Sequence, residues 1–172
     1  RTVGSLRGDN ALWVGLVLMS GHFDELSPAD LAAVLEGVSV EIHRHDLWTG
    51  YSPSPKAEEA LLNLSGIRRQ LLQEQEKHNI VIPILWNFEL IGLVDAWARG
   101  VSWSDLILNS SLDEGDVVRI MRRTIDVLSQ VPYCEAVSQK LRTNARLAIK
   151  AMNRFPVSEA NDLFQEMAKE QQ

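Results

Sequence analysis

A stripe of charged and amide side chains recurs in the second half of the chain. It consists of Asp116, Arg119, Arg123, Asp126 and Gln130, which follow one another at steps of three and four residues and therefore share one face of an α-helix. Such a face could carry hydrogen-bond donors and acceptors past a polar ligand. It could equally be a solvated face with intrahelical ion pairs, such as one between Asp116 and Arg119, and the spacing alone does not decide between these interpretations.

A second stripe is wholly basic. Arg142, Arg146, Lys150 and Arg154 recur at steps of four residues. Cations at this spacing can follow a phosphate backbone, although a solvated helix face is the commoner meaning of such a pattern. Between residues 113 and 154, eight Lys and Arg residues stand against five Asp and Glu residues, a local balance of +3 in a chain whose net charge is -6. The overall negative charge argues against a protein that simply coats nucleic acid.

Other residues that could do chemistry lack the partners that they would need. His43 and His45 are two residues apart with no CxxC or HExxH motif, so we predict no metal site. Cys134 is the single cysteine and has no nearby histidine in sequence, which argues against a disulfide and against a nucleophile. A phosphate loop of the form GxxxxGK[ST] is absent, so we predict no catalytic residue. Trp103 stands beside a predicted helix start and could stack on a nucleobase.

The elements that must position these residues read as helices separated by Pro, Gly and Ser. The predicted helices are residues 9–20, 28–36, 56–78, 88–99, 102–109, 114–131 and 135–154. Only residues 2–6 resemble a strand, so we expect an all-α fold, a helical bundle of about seven helices with a possible short N-terminal strand. The longest apolar run, residues 11–19, is far shorter than the roughly 20 residues that cross a bilayer, so we expect no membrane partner.

The predicted helix 114–131 has a clear core side. Acidic residues crowd its first turn, where the helix dipole favours them, and Pro132 prevents its continuation. Val117, Met121, Thr124 and Leu128 form an apolar stripe opposite the charged one. We therefore expect this helix to pack on the bundle through that stripe and to present its charged face outwards.

Longer stretches of the sequence resemble a known family. The strings are VDAWARGVSWSDLI from residue 94, SLDEGDVVRIMRRTIDVLSQVP from residue 111, LRGDNALW from residue 6 and SGHFDELSP from residue 20. They resemble the DSHCT domain, the C-terminal module of superkiller and exosome-assisting DExH-box RNA helicases. RRQL from residue 68 and RFPVS from residue 154 are similar to the branch found in cyanobacteria and chloroplasts. The resemblance extends through nearly the whole chain.

The resemblance implies a site and a role. In this family a bundle helix called the ratchet helix touches single-stranded RNA as it is drawn 3′ to 5′, and it matches residues 114–131 here. The RNA-facing arginine and acid of the family fall on Arg123 and Asp126, with Arg119 and Arg122 as flanking candidates. Family members commonly carry Glu where this chain has the shorter Asp126.

The resemblance also implies a larger parent protein. Residues 1–8 would be the tail of a preceding winged-helix domain, and residues 9–172 would be the helical bundle. This chain would need no cofactor, whereas the parent's RecA-like domains would bind ATP and Mg. The implied partners are single-stranded RNA and the parent's own RecA-like and winged-helix domains. The implied location is the cytoplasm of a bacterium, or the chloroplast stroma of a plant.

Two other functions remain open at this stage. Residues 102–131 also read as helix, short turn and helix, which is the pattern of a helix-turn-helix nucleic-acid-binding module. A protein-docking module is the other alternative.

Overall fold

The computed structural model of the protein describes Leu6 and residues 8–159. This part of the chain contains eight complete α-helices and a short 3-10 helix, and no strand. The α-helices are α1 (Ala11–Met19), α2 (Pro28–Ser39), α3 (Pro55–Leu62), α4 (Ser65–Lys77), α5 (Ile91–Ala98), α6 (Trp103–Leu108), α7 (Glu114–Gln130) and α8 (Gln139–Met152); the 3-10 helix is Val131–Tyr133. The predicted all-α bundle is confirmed. The strand expected at residues 2–6 falls, except for Leu6, outside the described residues.

Short polar side chains begin most of these helices. Ser27, Ser54, Ser102, Asp113 and Ser138 each accept a hydrogen bond from the backbone N–H three residues further on. This bond satisfies one of the amides that the first turn of a helix leaves unpaired, and such a cap stabilises a helix by about 1 kcal/mol. The sequence therefore marks the starts of α2, α3, α6, α7 and α8 locally.

Helix α2 is the centre of the bundle. It packs against α3, α5, α7 and α8, and all its residues after Pro28 are buried. The helix ends at Ser39, three residues beyond the predicted end at Glu36, because Gly37 serves close packing rather than termination. A Cβ atom on Gly37 would lie 2.7 Å from the carbonyl oxygen of Asn87. The glycine thus lets a later segment lie directly against the helix backbone.

The predicted helix 56–78 is wrong in one respect, because the structure divides it into α3 and α4. Asn63 and Leu64 form a turn in which the Leu64 N–H bonds to the Leu61 carbonyl at 3.1 Å, three residues back rather than four. The apolar spacing continues through the turn, so periodicity could not reveal the break. Helix α3 buries its apolar side, whereas α4 has no buried residue and Leu72 of the predicted stripe is exposed. This break accounts for eight helices where seven were expected.

An extended segment, residues 80–88, crosses the bundle after α4. Asn79 ends α4 in the left-handed conformation with φ of 51°, as its residue type predicts. Two tryptophans then fix the segment: the Trp13 indole donates to the Leu85 carbonyl at 2.7 Å, and the Trp86 indole donates to the Leu61 carbonyl at 2.9 Å. These bonds place the segment beside α1 and α3, where it helps to form the surface described below.

Candidate nucleic-acid interface

Helix α7 carries the charged stripe and begins and ends close to the predicted bounds. The Asp113 carboxylate accepts a hydrogen bond from the Asp116 amide at 2.8 Å and so caps the first turn. The predicted core stripe is confirmed, because Val117, Met121, Thr124 and Leu128 are fully buried. The buried Thr124 hydroxyl donates to the carbonyl one turn earlier at 2.9 Å, so it leaves no unsatisfied polar atom in the core.

The opposite face of α7 is open. Arg119, Arg123 and Asp126 are exposed, and Arg122 is half-buried. Arg119 lies 3.9 Å from Asp116, which confirms the predicted intrahelical ion pair. Arg123 makes no hydrogen bond or ion pair with any residue that the structure describes. The structure therefore presents Arg123 with its donors available for a ligand.

A groove lies alongside this face. It consists of two cavities of about 370 and 280 Å³ that share His43 and Arg119, and we call it the α7 groove. The larger cavity is lined by Asp9, Asn10, Ser39, Val40, Glu41, His43, Pro83, Leu85, Arg119 and Arg123. The smaller cavity is lined by Ile42, His43, Arg44, Leu47, Leu90, Leu112, Asp116, Arg119 and Ile120. One wall is thus α7, and most of the opposite wall is the irregular segment after α2.

Hydrogen bonds hold the wall opposite α7 in place. The Asn10 amide donates to the Val38 carbonyl at 3.1 Å, and the Asn87 side chain donates to the Val40 carbonyl at 2.9 Å. The Asn87 backbone N–H also bonds to the Gly37 carbonyl at 2.8 Å. The end of α2 is therefore bonded to the start of α1 and to the extended segment, which makes the groove a fixed feature of the fold.

The charges along the groove are mixed. Arg44 is engaged with Asp46 at 3.1 Å, and its hydrogen bond to that carboxylate raises the pKa of the guanidinium. His43 lies 3.9 Å from Glu41. Among the groove-lining arginines, Arg123 makes no salt bridge with a described residue, although its positive charge acts on the Asp126 carboxyl. Arg123 would therefore attract an anionic ligand that follows the groove.

Asp126 lies one turn beyond Arg123 and outside these two cavities. Loss of solvent around the carboxyl raises its pKa, while the positive charges of Arg122 and Arg123 act in the opposite direction. A carboxylate in this position can accept a hydrogen bond from a base edge or a ribose hydroxyl. The structure therefore groups Arg119, Arg123 and Asp126 on one outward face of α7.

Trp103 lies elsewhere. Its ring is half-buried and meets the ring of Trp97 edge-on, with centroids 5.5 Å apart. It lines neither cavity of the α7 groove. Beside it, the Ser102 hydroxyl caps the helix start, since it donates to the Asp105 carboxylate at 2.7 Å while accepting from the Asp105 amide at 3.2 Å. Trp103 thus packs at the start of α6 rather than beside Arg123.

The basic stripe on α8 is not a uniform solvated or phosphate-binding face. Arg142 donates to the carbonyls of Cys134 and Glu135, at 2.9 Å each. Arg154 donates to the Trp97 carbonyl at 2.6 Å and stacks 3.5 Å from the centre of the Trp97 ring. These two arginines satisfy backbone carbonyls that nothing in the helical spacing could indicate. Only Arg146 and Lys150 of the stripe are exposed.

The remaining candidates are explained by packing. Cys134 is buried, and burial raises the pKa of its thiol, which disfavours the nucleophilic thiolate. Within the described part of the chain, no three His, Cys, Asp or Glu side chains are grouped so as to hold a metal ion. His43, considered from the sequence only as a weak metal ligand, instead lines both cavities of the groove. Its loop has no periodicity, so the sequence carried no signal for this placement.

None of the described helices is both long enough and apolar enough to span a membrane.

The fold and the groove define an all-α bundle module with a groove of mixed polar and apolar lining along one amphipathic helix. The model of the DSHCT (NUC185) domain family matches residues 1–160, and the chain belongs to that family. It is 36% identical over 163 residues to the chloroplastic DExH-box ATP-dependent RNA helicase DExH15 of Arabidopsis thaliana. The aligned region covers 92% of this chain and 14% of the relative. It is 27% identical over 169 residues to the probable helicase HelY of Mycobacterium leprae, and 26% identical to that of Mycobacterium tuberculosis.

The chain spans 14% of the length of the plant relative and 18% of the length of the mycobacterial relatives. The resemblance to DExH-box helicases is thereby confirmed at the level of the domain. Most of the length of each relative therefore lies outside the matched region.

Proposed function

We propose that this chain is the RNA-contacting C-terminal module of an ATP-dependent 3′ to 5′ DExH-box RNA helicase that acts in RNA processing or decay, and that it is non-catalytic by itself. Membership of the DSHCT family supports the helicase module. The name of the plant relative, an RNA helicase, supports RNA as the ligand. The observation that carries the proposal is the open face of α7, where Arg123 stands beside the groove without a hydrogen-bonded partner among the described residues.

In this proposal α7 is the ratchet helix. Arg123 contacts a phosphate or stacks on a base, and Asp126 accepts a hydrogen bond from a base edge or a 2′-hydroxyl. Arg119 and Arg122 flank the site as secondary contacts. Trp103, half-buried and packed against Trp97, is the remaining candidate for stacking on a base.

The proposal extends to the parent protein. ATP and Mg would be bound by RecA-like domains outside this chain, and the bundle would contact those domains and a winged-helix domain whose tail is residues 1–8. The bundle itself would be residues 9–172. The work would take place in the chloroplast stroma, as the name of the plant relative suggests, or in the cytoplasm of a bacterium.

A helix-turn-helix function is less well supported. Such a module places the N-terminal residues of its second helix against base edges in the major groove. Here those residues are Asp113, Glu114 and Asp116, whose negative charges would repel the phosphates of a duplex. The contact that α7 offers lies instead two turns further on, at Arg123.

Binding of fluorescent single-stranded RNA to the 172-residue chain tests this function. We expect weak binding, because the net charge is -6 and one helix supplies few contacts. Arg123→Ala should weaken binding further and lower the slope of log affinity against log salt by about 1 if Arg123 contacts a phosphate. Arg146→Ala, which removes an equally exposed arginine from α8, is the matched control and should change neither quantity. Tight, salt-independent binding to a particular duplex DNA would instead support the helix-turn-helix function.

A further inference from the structure

One tryptophan differs from the other four. Trp13 and Trp97 are buried, Trp86 and Trp103 are half-buried, and Trp48 is 55% exposed. The indole N–H groups of Trp13, Trp86 and Trp97 donate to backbone carbonyls, and the Trp103 ring meets Trp97. The Trp48 ring makes no hydrogen bond and no aromatic contact with any residue in the described part of the chain. Its large apolar face is therefore available.

The main chain of Trp48 is nevertheless held firmly. Its N–H donates to the Ser111 hydroxyl at 2.8 Å, and the Ser111 N–H donates to the Trp48 carbonyl at 3.0 Å. The Gly50 N–H bonds to the Asn109 carbonyl at 2.7 Å, and Thr49 and Ser110 form an antiparallel bridge. This pairing joins the loop of Trp48 to the loop that precedes α7. A ring presented from a fixed backbone loses little conformational freedom when a ligand packs on it.

The position of Trp48 relates it to the α7 groove. Its neighbour Leu47 lines the smaller cavity, and so does Leu112, the residue after Ser111. The two paired loops thus contribute Leu47 and Leu112 to the wall of the smaller cavity, and Trp48, which lines neither cavity itself, is the residue that follows Leu47. Single surface apolar residues are common and need no explanation alone. This one combines exposure, a fixed backbone and a place beside the proposed path of the RNA.

We propose that Trp48 is a stacking platform for an unpaired base of the RNA strand that follows the α7 groove. This inference rests on the proposed function. Grooves that bind single strands combine cations along the backbone with aromatic rings on which bases stack, and the stacking tolerates any base because every base has a π-face. Arg119 and Arg123 supply the cations and Trp48 supplies the ring. Neither Trp48 nor Trp103, the aromatic residue that the sequence favours, lines a cavity, but Trp48 adjoins the lining residue Leu47, whereas neither sequence neighbour of Trp103 lines the groove.

The test measures binding of the 172-residue chain to two probes, a short oligouridine and an abasic oligomer with the same ribose-phosphate backbone. Trp48→Ala should weaken binding to oligouridine by about tenfold, within the range measured for loss of one stacked base. Trp48→Phe, which keeps an aromatic face, should restore most of the affinity. On the abasic probe the wild type and both variants should bind alike, because there is no base to stack.

The controls separate this inference from the proposed function. Leu108→Ala removes an apolar side chain that is 77% exposed next to the same paired loops, and it should leave binding to oligouridine unchanged. If Trp48→Ala binds oligouridine like the wild type while Arg123→Ala binds it more weakly, Trp48 is no platform and the proposed function stands. Equal losses on both probes, or an equal loss with Leu108→Ala, would also overturn the inference. If neither Trp48→Ala nor Arg123→Ala changes binding, both proposals fail.

Discussion

Glu36→Gln is expected to abolish a pH dependence of folding stability that one buried carboxyl imposes. Glu36 lies in the last turn of α2 and is fully buried. Neither of its carboxyl oxygens has a hydrogen-bond partner among the described residues. Burial, with a smaller contribution from the negative charge of Glu89, raises the pKa of Glu36 from 4.5 to about 8. The folded protein therefore holds a proton that the unfolded chain releases at neutral pH.

The sign and size of the effect follow from this difference. Between pH 4.5 and about 8 the folded state binds one more proton than the unfolded state, so the free energy of unfolding falls as the pH rises. The expected slope for one proton is about 1.4 kcal/mol per pH unit, so the interval from pH 4.5 to about 8 corresponds to roughly 4–5 kcal/mol. The stabilising contribution is fully present below the unfolded pKa and is lost as the pH rises through the folded one.

Urea denaturation of the wild type and of Glu36→Gln across this interval measures the slope. The comparison uses the slopes rather than the absolute stabilities, because a buried Gln amide would also lack partners. Other carboxyls with shifted pKa values, such as Asp126 (raised) and Asp46 (lowered), are present in both proteins and cancel in the difference. Glu59→Gln, at an exposed position on α3, should keep the wild-type slope. Identical slopes for the wild type and Glu36→Gln would refute the reasoning.

Three further outcomes are expected. Leu128→Ala should lower the free energy of unfolding by roughly 2–5 kcal/mol in urea denaturation, because Leu128 is fully buried on the core side of α7. Gly92→Ala should destabilise the protein by roughly 1–3 kcal/mol, because its Cβ would lie 2.0 Å from the Tyr51 carbonyl oxygen. Gly66→Ala on the exposed α4 is the contrasting change: its Cβ would meet nothing within 4 Å, so it should stabilise the protein by roughly 0.5–1 kcal/mol. The pure 172-residue chain should show no ATP turnover in a phosphate-release assay, since it contains no GxxxxGK[ST] loop; turnover by this material would contradict the non-catalytic assignment.

Helix α7 was predictable because every local signal agreed. Its acidic first turn, its apolar stripe and Pro132 all lie within the helix or beside it, and the structure confirms them. The cap that Asp113 provides is a further local feature, which the structure reveals. The division between α3 and α4 was not predictable from apolar spacing. That spacing continues through the turn at Asn63 and Leu64. The burial of side chains against the bundle stops there, since no residue of α4 is buried.

The groove was less accessible to sequence reasoning. Its second wall comes from an irregular loop with no periodicity, and bonds from Asn10 and Asn87, distant in sequence, hold that wall in place. Arg154 was assigned to a basic stripe by spacing alone, yet two of its partner carbonyls, those of Trp97 and Val101, lie more than 50 residues away. Trp48 has no local signal that separates it from a core tryptophan. In each case the deciding contact is long-range, and a single sequence does not contain it.

RNA unwinding by a helicase that contains this chain, with and without Arg123→Ala, tests the central claim most directly. The variant should unwind more slowly or change its RNA preference, while ATP hydrolysis persists, because the proposed function assigns the motor residues to domains outside this chain. Its melting temperature should hardly move, since exposed substitutions usually change stability by less than about 0.5 kcal/mol. Leu128→Ala, on the buried face of the same helix, is the control that should lower the melting temperature. If Arg123→Ala unwinds every RNA substrate like the wild type, the outer face of α7 is a solvated surface and not an RNA contact.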